Sequence, residues 1–100
     1  MIDIEVLHRV AATLAERKKA DPDSSYVSSL YAKGTDAICK KVAEEAAETI
    51  MAAKDKDMLH IVWEVTDLWF HSLVLLSHFG QTGQGVTHFS VLRCRWHADP

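Results

Sequence analysis

An all-α fold, a helical bundle around an antiparallel helix hairpin, is what this sequence predicts. Three observations carry it. Apolar residues recur at three- and four-residue spacing in separate stretches, which is the period of a helix. Alternating strand-like runs are scarce. Turn formers fall between the periodic stretches: ADPDSSY at 20–26, Gly34, KDKD at 54–57 and QTGQG at 81–85.

Each element follows from its own residues. Leu7, Val10, Ala11 and Leu14 predict an amphipathic first helix over 3–19, and Arg17, Lys18 and Lys19 suit its C-terminal dipole. A short second helix over 26–33 is stopped by Gly34. Thr35 is the expected N-cap of a third helix over 36–54. KDKD forms a polar hinge, and a fourth helix runs from 58 to 79 and stops at Gly80. Beyond it, Val86, Phe89, Leu92 and Trp96 suggest one face of a short helix. There is no internal repeat, so residues 1–100 read as a single domain, with 81–100 as its tail.

The composition excludes several classes. With 48% apolar and 25% charged residues the chain is too apolar for disorder. A net charge of −3 offers no general basic surface for nucleic acid. The two cysteines, Cys39 and Cys94, lack metal-type spacing and point to reduced thiols, with Cys39 expected in the core. The N-terminus has no signal-peptide core. Residues 68–92 lack Asp, Glu, Lys and Arg but are broken by His, Ser, Gly and Gln, so they do not read as a membrane span. A soluble cytoplasmic protein is expected, with no membrane partner.

The acids of the third and fourth helices carry the chemistry. Glu44, Glu45 and Glu48 stand in EEAAE, and Glu64 and Asp67 in EVTD. Glu48 and Glu64 lie eight residues either side of residue 56, and Glu45 and Asp67 lie eleven. In an antiparallel hairpin, equal distance from the turn is equal height, here roughly 12 and 16 Å from it at about 1.5 Å per residue. Four carboxylates can meet in two facing pairs. Ile38, Val42, Ala46, Ile50 and Ala53 define the expected apolar side of the third helix. Glu45 falls at its edge with Lys41, Glu48 about 60° further round, and Glu44 nearly opposite. On the fourth helix Ile61, Val65, Leu68, Trp69 and Leu76 form a broad apolar surface, and His60, Glu64, Asp67, His71 and His78 share one stripe within about 60°.

Crowded carboxylates need a cation to offset their repulsion. Mg²⁺ takes oxygen ligands and bridges carboxylates to phosphate, which suits Glu45, Glu48, Glu64 and Asp67. Zn²⁺ would want Cys or His, and no tight Cys/His cluster accompanies the acids. Acids spaced at i, i+3 are also common on solvated helix faces, and it is the mirrored ExxD that lifts the pattern above that background. Glu44 is the acid best explained by solvation alone. His71, one turn from Asp67, either touches substrate, holds a carboxylate or is structural. His60 and His78 read as surface or interface residues. Lys41, and more weakly Lys33 and Lys40, could meet phosphate. Ser25 and Tyr26 are most simply a loop and a helix start. No Gly-rich phosphate loop or nucleophile elbow is present.

The segments KKVAEEAAETIMAAKD, EVTDLWFHSLVLL and the upstream DPDSSYVSSLYAKGTDAI resemble the phosphoribosyl-ATP pyrophosphatase family, within the MazG-like all-α NTP pyrophosphatase superfamily. The resemblance spans roughly residues 5–80. It implies Mg²⁺-dependent hydrolysis of the α–β phosphoanhydride of phosphoribosyl-ATP, giving phosphoribosyl-AMP and pyrophosphate, the second step of histidine biosynthesis. It also implies a homodimer or higher homo-oligomer. By its motifs Glu45 and Glu48 match ExxE, Glu64 and Asp67 match ExxD, and Glu44 is the additional first acid. Lys40 and Lys41 match the basic pair and Lys33 the lysine before glycine. Glu45, Glu48, Glu64 and Asp67 would hold the metal, Glu44 or another acid would act as base, and Lys33, Lys40, Lys41 and His71 would meet substrate. The tail QTGQGVTHFSVLRCRWHADP departs from the VLxxLxxR helix of that family. Two alternatives stand beside this reading: a MazG-like or dUTPase-like enzyme acting on another nucleotide, and a noncatalytic helical dimerisation module.

Overall fold

The computed structural model describes residues 4–80. The short helix expected around Val86–Trp96, and the rest of the tail, lie outside the described residues. Four α-helices follow in order: α1 (Ile4–Arg17), α2 (Tyr26–Lys33), α3 (Thr35–Asp55) and α4 (Met58–His78). The described residues hold no strand. The antiparallel α3–α4 hairpin is the main packing unit; α1 lies against α4 and α2 against α3.

Side-chain caps open α2 and α4. Ser25 opens α2 by accepting from the Ser28 N–H at 3.0 Å. The Ser28 hydroxyl, itself buried, donates to the Arg17 carbonyl at 3.0 Å, and Tyr31 donates to the Leu14 carbonyl at 3.0 Å. Two orphan carbonyls at the end of α1 are thus satisfied by α2. Gly34, at φ +94°, separates α2 from α3 in a conformation L side chains rarely adopt. Here one expectation fails: Thr35 is the first helical residue, and Gly34 occupies the cap position without a side-chain bond. The Thr35 hydroxyl is engaged instead by His78 Nε2 at 3.1 Å, across the bundle. The α3–α4 turn is tight. Lys56 takes the left-handed conformation, φ 57° and ψ 29°, and Asp57 caps α4 by accepting from the His60 N–H at 3.1 Å.

The apolar core is small. Leu14, Leu30, Ile38 and Val74 are buried together, with Val10, Val27, Tyr31, Phe70, Leu73 and Leu75 packed around them. The hairpin itself does not follow the apolar faces expected from periodicity. On α3 the buried line is Ile38, Glu45 and Ala52, seven residues apart. Ile50 and Ala53, expected inside, are exposed, Ile50 by 61%. On α4 the buried residues are Glu64, His71, Val74 and Ser77, so the polar stripe faces α3 while Trp69 is 53% exposed. Apolar residues surround α4, and periodicity alone cannot tell which apolar face meets α3. The acids decide it, because they meet across the hairpin. Cys39, expected in the core, is exposed. By length and composition α4 could cross a membrane, but it packs along α3 and buries a carboxylate and an imidazole there.

Candidate metal and active site

Three carboxylates converge where the hairpin halves face each other. Glu45 and Glu48 are one turn apart on α3, and Glu64 comes from α4. One oxygen from each lies within 4.8 Å of the others. Glu45 and Glu64 are buried, at 7% exposure each, and Glu48 is exposed, so the cluster is walled on one side and open on the other. Asp67, one turn beyond Glu64, is half-buried and stands outside this group of three.

The electrostatics of the cluster are unsatisfied. Glu64 Oε1 meets His60 Nε2 at 3.1 Å, but Glu64 Oε2 is buried with no hydrogen-bond partner. The Glu48 carboxyl beside it pushes the Glu64 carboxyl above its ordinary value, and burial and the neighbouring Glu45 push the same way. Only His60 opposes this rise. Protein groups therefore offer the cluster one way to relieve repulsion, a proton held on Glu64. A cation is the other. An all-oxygen donor set with an orphaned buried oxygen fits a hard divalent ion such as Mg²⁺.

Beside the cluster runs a line of polar contacts. His71 is buried and uses both ring nitrogens: Nε2 lies 2.7 Å from the Tyr26 hydroxyl, and Nδ1 lies 2.9 Å from the Asp67 carbonyl. Nδ1 also lies 3.7 Å from Glu45 Oε1. Lys41 pairs with Glu44 at 3.6 Å on the open side. Tyr26 is the largest influence raising the Lys41 ammonium above its ordinary value, with Glu44 and Glu45 acting the same way. Burial in turn raises the Tyr26 phenol, against the pull of Lys41.

The sequence-predicted residues thus divide. Glu45, Glu48 and Glu64 come together, with His71 against Glu45. Glu44 and Lys41 form the neighbouring ion pair. Lys33 and Lys40 are exposed and make no ion pair among the described residues. His78 belongs elsewhere, stacked on Tyr31 with ring centroids 6.0 Å apart. Two neighbours of the cluster escaped sequence reasoning. His60, read as a surface or interface residue, is exposed as read and also holds Glu64, a contact for which its i, i+4 spacing was the available signal. Tyr26 reaches His71 across 45 residues, and no local pattern marks that contact.

Comparison with known proteins bears on this arrangement. A family model described as phosphoribosyl-ATP pyrophosphohydrolase matches residues 7–87. The chain is 99% identical over 80 residues to a phosphoribosyl-ATP pyrophosphatase of Azoarcus sp., covering 80% of this chain and 75% of that protein. It is 64% identical to one of Chromobacterium violaceum, covering 76% of this chain and 70% of that one. With one of Neisseria gonorrhoeae the figures are 56%, 73% and 68%.

Proposed function

The chain belongs to the phosphoribosyl-ATP pyrophosphohydrolase family and is a hydrolase of histidine biosynthesis, and from that premise we propose how its acid cluster acts on phosphoribosyl-ATP. The observation that carries the proposal is the convergence of Glu45, Glu48 and Glu64 with the orphaned Glu64 Oε2. These three, with Asp67 on the next turn, would hold Mg²⁺. Bound there, the ion would neutralise phosphate oxygens and acidify a neighbouring water.

The protein's own groups do the rest. Glu45 and Glu64 are fixed by burial between the helices, so they are in place before substrate arrives. Glu48, on the open side, is where the triphosphate gains access. Lys41, with Lys33 and Lys40 beyond it, neutralises phosphate charge. Glu44, held beside Lys41, accepts a proton from the attacking water. The water oxygen bonds to the α-phosphorus, the α–β bridging oxygen leaves with pyrophosphate, and phosphoribosyl-AMP remains. Catalysis is mainly positioning and charge stabilisation.

The exposed apolar face of the hairpin supports a homodimer. Ile50, Met51, Met58, Leu59, Val62 and Trp63 are each more than 60% exposed, and a contiguous apolar surface of this kind marks an interaction site. We place the enzyme in the cytoplasm, with its soluble nucleotide substrate. The deciding experiment compares turnover of phosphoribosyl-ATP and ordinary nucleoside triphosphates with Mg²⁺. Preference for phosphoribosyl-ATP is expected; faster turnover of a plain triphosphate would overturn the assignment.

A further inference from the structure

Tyr26 and His71 have no step in the chemistry above, yet they are tied to its acids. The Asp67 carbonyl can only accept, so the 2.9 Å contact places the ring proton of His71 on Nδ1. Nε2 then carries a lone pair, which accepts from the Tyr26 hydroxyl at 2.7 Å. Two aromatic rings fix the imidazole plane. Tyr26 meets it at 89° with centroids 5.7 Å apart, and Phe70 at 86° and 5.3 Å. With His71 5% exposed and both nitrogens engaged, no ring atom is left for substrate.

What the imidazole does face is Glu45. Its Nδ1–H edge stands 3.7 Å from Glu45 Oε1. That is too long for a hydrogen bond, but it presents the positive edge of a buried dipole to a buried carboxylate. We propose that Tyr26 and His71 are a positioning pair: the His71 Nδ1–H edge holds the Glu45 carboxylate in the cluster, and the Tyr26 hydroxyl locks the ring from its far side. This rests on Glu45 serving the metal centre, as set out above. Of the three readings open to His71, it selects the support of a carboxylate over contact with substrate, and it gives Tyr26 a role. Tyr26 is the first residue of α2, and Ser25 caps that helix, so the pair ties the start of α2 to the middle of α4. Groups that orient a ligand from behind commonly contribute 10–100-fold in metal affinity or activity.

The test uses Tyr26→Phe, His71→Asn and His71→Leu, each at a temperature where circular dichroism shows the wild-type helix content. The Asn amide can stand where Nδ1–H stands but cannot serve Nε2 as well. Mg²⁺ binding by calorimetry is expected to weaken about 10-fold in Tyr26→Phe and His71→Asn, and about 100-fold in His71→Leu. At saturating Mg²⁺, kcat is expected to fall while KM for phosphoribosyl-ATP stays within about 2-fold, as for a residue that touches no substrate. The Tyr26→Phe/His71→Asn double variant should be no worse than either single, since both remove one hydrogen bond. In metal-free protein, Tyr26→Phe should move the His71 Nε2 and Glu45 carboxyl NMR signals together. Wild-type Mg²⁺ affinity and kcat in the two conservative variants would overturn the proposal, even if His71→Leu does not fold. So would a KM that rises more than kcat falls, or a Glu45 signal that stays in place. A wild-type protein that binds no Mg²⁺ would instead overturn the metal centre, and the metal-free signals would still judge the pair.

Discussion

The two faces of the α3–α4 hairpin have exchanged their usual characters. The inner face, where the helices meet, carries buried Glu45, Glu64 and His71 beside Ile38 and Ala52. The outer face carries exposed Ile50, Met51, Leu59, Val62, Trp63 and Trp69. Burial of apolar area ordinarily drives a hairpin shut. Here two carboxylates and an imidazole are buried beside Ile38 and Ala52, and much of the apolar surface is left exposed. On the proposed reading the contrast separates two tasks: the inner face would do the chemistry at a cost in stability, and the outer face would supply area for a homodimer to bury.

The largest effect expected comes from the inner face. Glu48→Gln keeps the shape of an exposed side chain and removes one charge of the cluster. Turnover should drop by more than about 100-fold, beyond what an outer support contributes, with helix content intact. A variant as active as wild type would leave the three acids as a structural feature only. Next comes the outer face. Trp63→Glu puts a charge on the apolar surface, and buried tryptophans are frequent interface hot spots. Light scattering should show the mass halve at micromolar concentration; an unchanged mass would move the interface elsewhere.

A smaller effect joins charge to stability. The Glu64 carboxyl is raised above its ordinary 4.5, chiefly by the neighbouring Glu48 carboxyl. From about pH 4.5 up to that raised value, the folded metal-free protein holds more protons than the unfolded chain. Its stability therefore falls as pH rises through this window. Mg²⁺ held at the proposed centre would displace the proton, so its stabilisation should grow with pH. Melting curves at pH 5 and pH 8, with and without millimolar Mg²⁺, should show the larger gain at pH 8. A larger gain at pH 5 would contradict a cation competing with that proton. The smallest effect is local: Ser25→Ala removes the α2 cap and should lower stability by about 1 kcal/mol in urea unfolding.

The sequence made some of this contrast readable and hid the rest. Helix positions were legible because Gly34, the KDKD hinge and Gly80 are local signals, and local signals set helix ends. The meeting of Glu45 and Glu48 with Glu64 was legible because equal chain distance from a turn becomes equal height. Which way α3 and α4 face was not legible from their apolar periodicity. That reading assumes apolar residues point into their own chain, and Ile50 and Trp69 do not. Tyr26 was hidden for a different reason. Its partner lies on another helix, and a tyrosine at a helix start has no pattern of its own. Asp67, paired with Glu45 by chain distance, stands outside the three-acid group because distance from a turn gives height but not direction.

Lys56 makes the connection between the hairpin arms a gauge. Surface turns are ordinarily where chains absorb insertions and deletions. This turn closes through one left-handed residue with Asp57 capping the next helix, so its length sets the angle at which α4 presents itself. One extra residue absorbed into α4 would rotate that helix by about 100°, and Trp63 would stand where Glu64 stood. The most exposed and polar segment of the hairpin, KDKD, is thus the one whose length has the least freedom to drift.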